Sequence, residues 1–115
     1  MGRLTTHILD TMHGGPAAGV TVRLYVTADK RKLVASAVTN EDGRARQPLL
    51  DDAAFVTGTY ELEFDVGEYF RSRGVALAEP AFLDTVVIRF GINSGEDYHV
   101  PLLVSPWSYS TYRGS

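Results

Sequence analysis

The chain has 115 residues, 44% of them hydrophobic and 22% charged, with Lys+Arg 11 against Asp+Glu 14 for a formal net charge of -3. That length fits one domain, 1–115, with a real core, and that composition argues against intrinsic disorder. The acidic balance argues against a nucleic-acid binder and gives no polybasic membrane patch, and without cysteine there is neither a disulfide framework nor thiol chemistry. The start, Met1-Gly2-Arg3-Leu4, shows no basic-then-apolar leader, and no apolar run approaches the roughly 20 residues of a membrane span. A cytoplasmic protein is the expectation.

In chain order, the first predicted strand is Leu4–Asp10, with Leu4, Thr6 and Ile8 on one face and Thr5, His7 and Leu9 on the other. Gly14-Gly15-Pro16 predicts a loop. In Val20–Val26 the residues Val20, Val22, Leu24 and Val26 alternate with Thr21, Arg23 and Tyr25, as in a half-buried strand. Leu33–Thr39 predicts another, followed by the turn Asn40-Glu41-Asp42-Gly43. Thr59–Val66 alternates most clearly: Tyr60, Leu62, Phe64 and Val66 against Thr59, Glu61, Glu63 and Asp65. Tyr69, Phe70 and Arg73 have helical spacing, so Val66–Gly74 predicts a helix of about two turns that Gly74 ends. Leu83–Phe90, Tyr98–Val104 and Trp107–Arg113 complete the strands, with a turn at Asn93-Ser94-Gly95. Short strands at regular spacing make this an all-β sandwich.

Chemistry has few candidate carriers. His7 and His99 titrate near neutrality and suit general-base work on a water; a pair of hydrogen-bonded structural histidines is the alternative, and the residues alone leave both open. His13, in a glycine-rich loop, reads as solvated. Arg44 offers a planar fork of donors for a ring amide or carboxylate, or is simply an exposed turn arginine. Three scattered histidines without cysteine make a poor metal set, so no metal is expected. Glu61, Glu63, Asp65 and Glu68 read as a solvated face. There is no Gly-x-Ser-x-Gly elbow and no phosphate-cradling loop. The C-terminal Ser108-Tyr109-Ser110-Thr111-Tyr112-Arg113 is too rich in aromatic and hydroxyl groups for a frayed end. By alternation Ser108, Ser110 and Tyr112 share one face, and Tyr109, Thr111 and Arg113 the other.

These stretches resemble the transthyretin-related family: Thr6-His7-Ile8-Leu9-Asp10 with Gly14–Val20, Thr39-Asn40-Glu41-Asp42-Gly43-Arg44, Tyr60–Phe70, and Tyr98-His99-Val100-Pro101-Leu102-Leu103 with the ending Ser110-Thr111-Tyr112-Arg113-Gly114-Ser115. The resemblance implies two four-stranded sheets with one short helix, and a homotetramer built as a dimer of dimers with its sites where dimers meet. One class of the family carries thyroid hormones. The other is a cofactor-free hydrolase of 5-hydroxyisourate, the product of urate oxidation. The carriers have Lys in place of His7, Glu for Arg44, and Thr for His99 and Tyr112, so this chain is similar to the hydrolases. The resemblance implies catalytic roles for His7, Arg44, His99 and Ser115. It implies substrate contacts from His7, Arg44, Tyr112, Ser110 and Arg113, with Arg113 and Ser115 closing the site. A non-catalytic carrier of aromatic small molecules is the rival function. A plain interaction module, expected to be a monomer, is a third.

Overall fold

A computed structural model describes residues 2–114. The strands are β1 (Leu4–Asp10), β2 (Gly15–Pro16), β3 (Thr21–Val26), β4 (Lys32–Val38), β5 (Gly58–Asp65), β6 (Thr85–Ile92), β7 (Tyr98–Val104) and β8 (Tyr109–Thr111); α1 (Val66–Ser72) follows β5. They form two four-stranded sheets, β2-β1-β7-β8 and β4-β3-β5-β6, as the resemblance implies. The period-two pattern decides which side of each strand faces in. Leu4 and Ile8 of β1, Val22 and Leu24 of β3, Tyr60, Leu62 and Phe64 of β5, and Val100, Leu102 and Val104 of β7 meet in one buried core, closed by Val66 and Phe70 of α1. Each such side chain contributes roughly 1.5–3 kcal/mol by leaving water. No helix among the described residues is long and apolar enough to cross a membrane.

Several expectations need correction. The Gly14-Gly15-Pro16 loop contains strand β2, paired back on β1 at Leu9↔Pro16 and Asp10↔Gly15. The Asp10 carboxylate turns the chain there by accepting from the Met12 and His13 amides, both at 3.0 Å. His13 is not a free solvated ring: its Nδ1 lies 2.5 Å from Asp10 Oδ2, and it stacks near Phe70. The strand expected at Leu83–Phe90 starts later, because the Asp84 carbonyl is taken by the Gly67 amide of α1. The strand expected at Trp107–Arg113 shrinks to β8, because the Ser105 hydroxyl accepts from the Trp107 and Ser108 amides and holds Trp107 in a turn. The acidic face of β5 is not simply solvated. Register places Arg23 opposite Glu63 and Arg89 opposite Glu61. Arg23 reaches Glu63 at 3.0 Å and Asp65 at 2.6 Å, and Arg31 bonds both Glu61 and Glu63. Burial alone would raise Glu63; Arg31 and Arg23 overcome it and hold that carboxyl below its usual range.

Candidate functional site

The outer face of the β2-β1-β7-β8 sheet carries the imidazoles. β1 and β7 run parallel, with Thr5 opposite His99, His7 opposite Pro101 and Leu9 opposite Leu103. Alternation turns all six away from the core. β8 pairs antiparallel with β7 at Leu102↔Thr111 and Leu103↔Ser110. The bridge His99↔Gly114 keeps that register beyond the strand's end, so Tyr112 falls opposite Pro101 and Arg113 opposite Val100. On the far side of β1, Arg44 bridges His7. Three cross-strand rows result: Thr5, His99 and Gly114; Arg44, His7, Pro101 and Tyr112; Leu9, Leu103 and Ser110. At ordinary strand spacing this face spans roughly 14 Å in each direction. The His7 and His99 rings lie on the diagonal between neighbouring rows, with centroids 6.4 Å apart.

The same parity sends Arg113 elsewhere. Val100 and Tyr98 point inward, and the Arg113 guanidinium lies 4.2 Å from the centre of the Tyr98 ring, bonded to Glu96 at 3.2 Å. It lines a groove of about 580 Å³ along the sandwich edge, with Ile88, Phe90, Tyr98, Thr111 and Tyr112. Arg113 is therefore not brought to the imidazoles within the protomer. Tyr112, exposed, stands between groove and histidine face. Ser110 reaches that face on the row beyond Pro101. Ser115 lies outside the described residues.

Arg44 is placed by its turn. Asn40 Oδ1 accepts from the Asp42 amide at 2.9 Å and the Arg44 amide at 3.2 Å, while the Asn40 amide donates to the Arg44 carbonyl at 2.9 Å. The turn docks on β1 through Ile8 N–H and the Gly43 carbonyl, 2.9 Å. Gly43 has φ +75, and a Cβ there would stand 2.5 Å from the Ile8 carbonyl oxygen. Gly43→Ala is expected to cost about 2 kcal/mol or more, by left-handed strain and by forcing the turn off β1. A urea midpoint measures the loss. The buried Thr39 hydroxyl anchors the turn from below, donating to the Ala17 carbonyl at 2.7 Å and accepting from the Val20 amide at 2.9 Å. The turn at Asn40–Gly43 was legible from its residues, but the buried support from Thr39 was not, because its partners Ala17 and Val20 come from a distant segment.

The electrostatics of the pair point one way. Burial, then the Arg44 guanidinium, push the His7 imidazole below 6.5, against the Asp42 backbone and carboxylate, which pull upward. Burial, then Arg44 and His7, push His99 below 6.5 as well. Both rings are neutral at neutral pH, each holding a lone pair for a proton. A cation beside two neutral imidazoles can orient a polar ring, polarise its carbonyl and take a proton from water. Among the described residues no group of His, Asp or Glu side chains is arranged for a metal ion. Thr5 was missed as a partner of this pair. Its hydroxyl is 2.8 Å from His99 Nδ1.

Comparison with known proteins bears on what this face does. The model of the HIUase/Transthyretin family matches residues 4–114. A 5-hydroxyisourate hydrolase of Pseudomonas aeruginosa is 58% identical over 117 residues, covering 100% of this chain and 93% of its own length. The crystal structure of an (S)-allantoin synthase superposes with a TM-score of 0.94 at 48% identity, covering 99% of this chain, which spans only 44% of that one. Sea bream transthyretin in complex with thyroxine superposes with a TM-score of 0.86 at 29% identity, covering 97% of this chain and 94% of that one.

Proposed function

The chain belongs to the HIUase/transthyretin family, and from that premise we propose that it is an enzyme that hydrolyses 5-hydroxyisourate in urate breakdown, using the outer face built around His7, His99 and Arg44. The observation that carries the reading is the meeting, on one sheet face, of two neutral imidazoles 6.4 Å apart beside a guanidinium. The identity to hydrolases, 58% in the Pseudomonas aeruginosa case, exceeds the 29% to the thyroxine-binding protein.

In this mechanism Arg44 and Tyr112 hold carbonyl or hydroxyl groups of the substrate. The imidazoles position a water and take its proton as it attacks the lactam carbonyl of the six-membered ring. The C–N bond breaks, the nitrogen leaves with a proton, and the carbonyl carbon becomes a carboxylate. The product is 2-oxo-4-hydroxy-4-carboxy-5-ureidoimidazoline. Base assistance of this kind contributes about 10²–10⁴-fold, and the cation adds stabilisation of the developing oxyanion. Ser110 borders the substrate from β8. Arg113 and Ser115 act in support, closing the site when copies assemble.

Residues 1–115 make one hydrolase domain in this reading, and the assembly is a homotetramer, a dimer of dimers. Leu9 and Leu103 flank the histidines, and Tyr112 is 61% exposed. Such an apolar outer face suits burial against a second copy, which also supplies the water-excluding wall that a face on one protomer lacks. Sedimentation is expected to give four times the 12.6 kDa protomer. The enzyme works in the cytoplasm, where a sandwich without cysteine loses nothing by lacking disulfides.

The test is made in water labelled with heavy oxygen, on substrate freshly generated from urate. The protein is expected to shorten the substrate's lifetime and to place one labelled oxygen in the product carboxylate. Tight binding of iodinated phenols without any shortening would favour the carrier instead. The pH profile gives a further check. A base must be deprotonated to act, so kcat/KM is expected to fall on the acid side with a midpoint below 6.5, where both imidazoles titrate. Arg44→Gln removes the cation that depresses both, so its acid limb moves up in pH while the plateau drops.

A further inference from the structure

The two imidazoles are not held alike. His99 is gripped on both edges. On one side Thr5, its direct neighbour across the parallel β1–β7 pair, brings Oγ1 to 2.8 Å from Nδ1. On the other, the chain end lies flat against the ring: the Gly114 amide donates to the His99 carbonyl at 2.7 Å. A Cβ on Gly114 would stand 3.1 Å from both Cβ and Cδ2 of His99. With Nδ1 against β1 and the Cδ2 edge against the tail, the Nε2 tip is what remains to face a substrate. Threonine is stiff at χ1, so its hydroxyl is preset rather than recruited.

The direction of this hydrogen bond decides the chemistry. A neutral imidazole carries one N–H. If it sat on Nδ1, the threonine hydroxyl would accept and turn its own hydrogen to solvent, since it has no second hydrogen bond among the described residues. If it sits on Nε2, the hydroxyl donates to Nδ1 and both groups are satisfied. We propose that Thr5 is a positioning residue of this site, whose hydroxyl donates to Nδ1 of His99, fixes that ring with its proton on Nε2 as a hydrogen-bond donor to the substrate carbonyl, and leaves His7 to act as the base. His7 has no hydroxyl at its ring. It lies instead beside the turn that carries Arg44, which bridges His7 on the far side of β1. A neutral imidazole keeps one nitrogen with a free lone pair, and with no hydroxyl donor to occupy it His7 can take a proton. The sequence of roles is thus a base (His7), a polarising donor (His99) and a cation (Arg44). It rests on the hydrolase reading above.

Nitrogen NMR of histidine-labelled protein, recorded without substrate above neutral pH, reads the tautomer directly. The wild-type chain is expected to show His99 protonated on Nε2. Thr5→Val keeps the shape of the side chain and removes the donor. It is expected to mix the His99 tautomers and to lower kcat about ten- to hundredfold with little change in KM, the scale of a misoriented catalytic group. Thr5→Ser restores both. A merely structural threonine would shift the melting temperature and leave the tautomer alone. A wild-type His99 carrying its proton on Nδ1, or a Thr5→Val chain with wild-type kcat, overturns the proposal. A wild-type chain that does not hydrolyse the substrate defeats the reading beneath it, whereas an active wild type with an indifferent Thr5→Val variant defeats the role of Thr5 alone.

Discussion

Replacing His7 with Ala is expected to slow hydrolysis of 5-hydroxyisourate by about a hundredfold or more, the usual worth of a positioned general base. The physical reason lies in its surroundings. Partial burial and the Arg44 charge hold its pKa below the usual value, so at neutral pH the ring is in the form that general-base work would need. Alanine leaves no base at that position, and its direct cross-strand neighbours, Pro101 and Arg44, supply none. The loss therefore falls on kcat more than on KM. His7 is half-buried on an outer face and its backbone pairing does not depend on the imidazole, so the melting temperature is expected to change little. Stopped-flow absorbance with fresh substrate measures the first effect and calorimetry the second. His99→Ala is expected to cost a comparable factor, through loss of a polarising donor.

The second large effect concerns stability. Asp10 ends β1 at 1% exposure, yet it is charged. Its carboxylate accepts from the Met12 and His13 amides, the His13 ring and the Tyr69 hydroxyl at 2.7 Å, and Arg73 stands 3.8 Å away. Burial alone would raise its pKa; the Tyr69 hydroxyl and His13 outweigh that and hold it below 3.8. Asp10→Ala strips a buried hub and leaves its donors without their acceptor, a cost of about 3 kcal/mol or more. Because the folded carboxyl titrates lower than the unfolded one, its contribution is complete above the unfolded pKa. It disappears as pH falls through the folded value, so the window lies below 3.8. Urea melts at neutral pH are expected to separate wild type from variant widely, and melts on the acid side of that window to bring them together. A gap that stays constant into acid would contradict the assignment of the effect to this charge.

How much of this was legible beforehand depended on whether local pattern or tertiary contact decided the outcome. Alternation alone set the two sides of Leu4–Asp10, Thr59–Val66 and Tyr98–Val104, because a strand leaves a side chain only two directions, while the common face of His7 and His99 came from the parallel pairing of β1 with β7. The family resemblance supplied Arg44 as their companion, which strand parity could not reach: Arg44 follows a turn, and its bridge to His7 is a contact between distant segments. The strand ends that were misplaced share a cause. Asp84 and Ser105 are taken by partners outside the strand ladder, and a hydroxyl or carbonyl so used is invisible to hydrophobic period. Arg113 shows pattern outrunning interpretation. Alternation had already placed it opposite Tyr112, and the structure carries its guanidinium over Tyr98 accordingly. Asp10 read as one more polar strand end; only folding brings Tyr69 and His13 to it.

The most direct measurement is the decay of freshly generated 5-hydroxyisourate, followed by absorbance at neutral pH with the wild-type chain and with the double variant His7→Ala, His99→Ala at equal concentration. The wild type is expected to outrun spontaneous decay severalfold or more at catalytic concentration, and the folded double variant to run with the buffer blank. Acceleration that survives removal of both imidazoles, or a wild type no faster than buffer, would contradict the assignment of hydrolysis to this face.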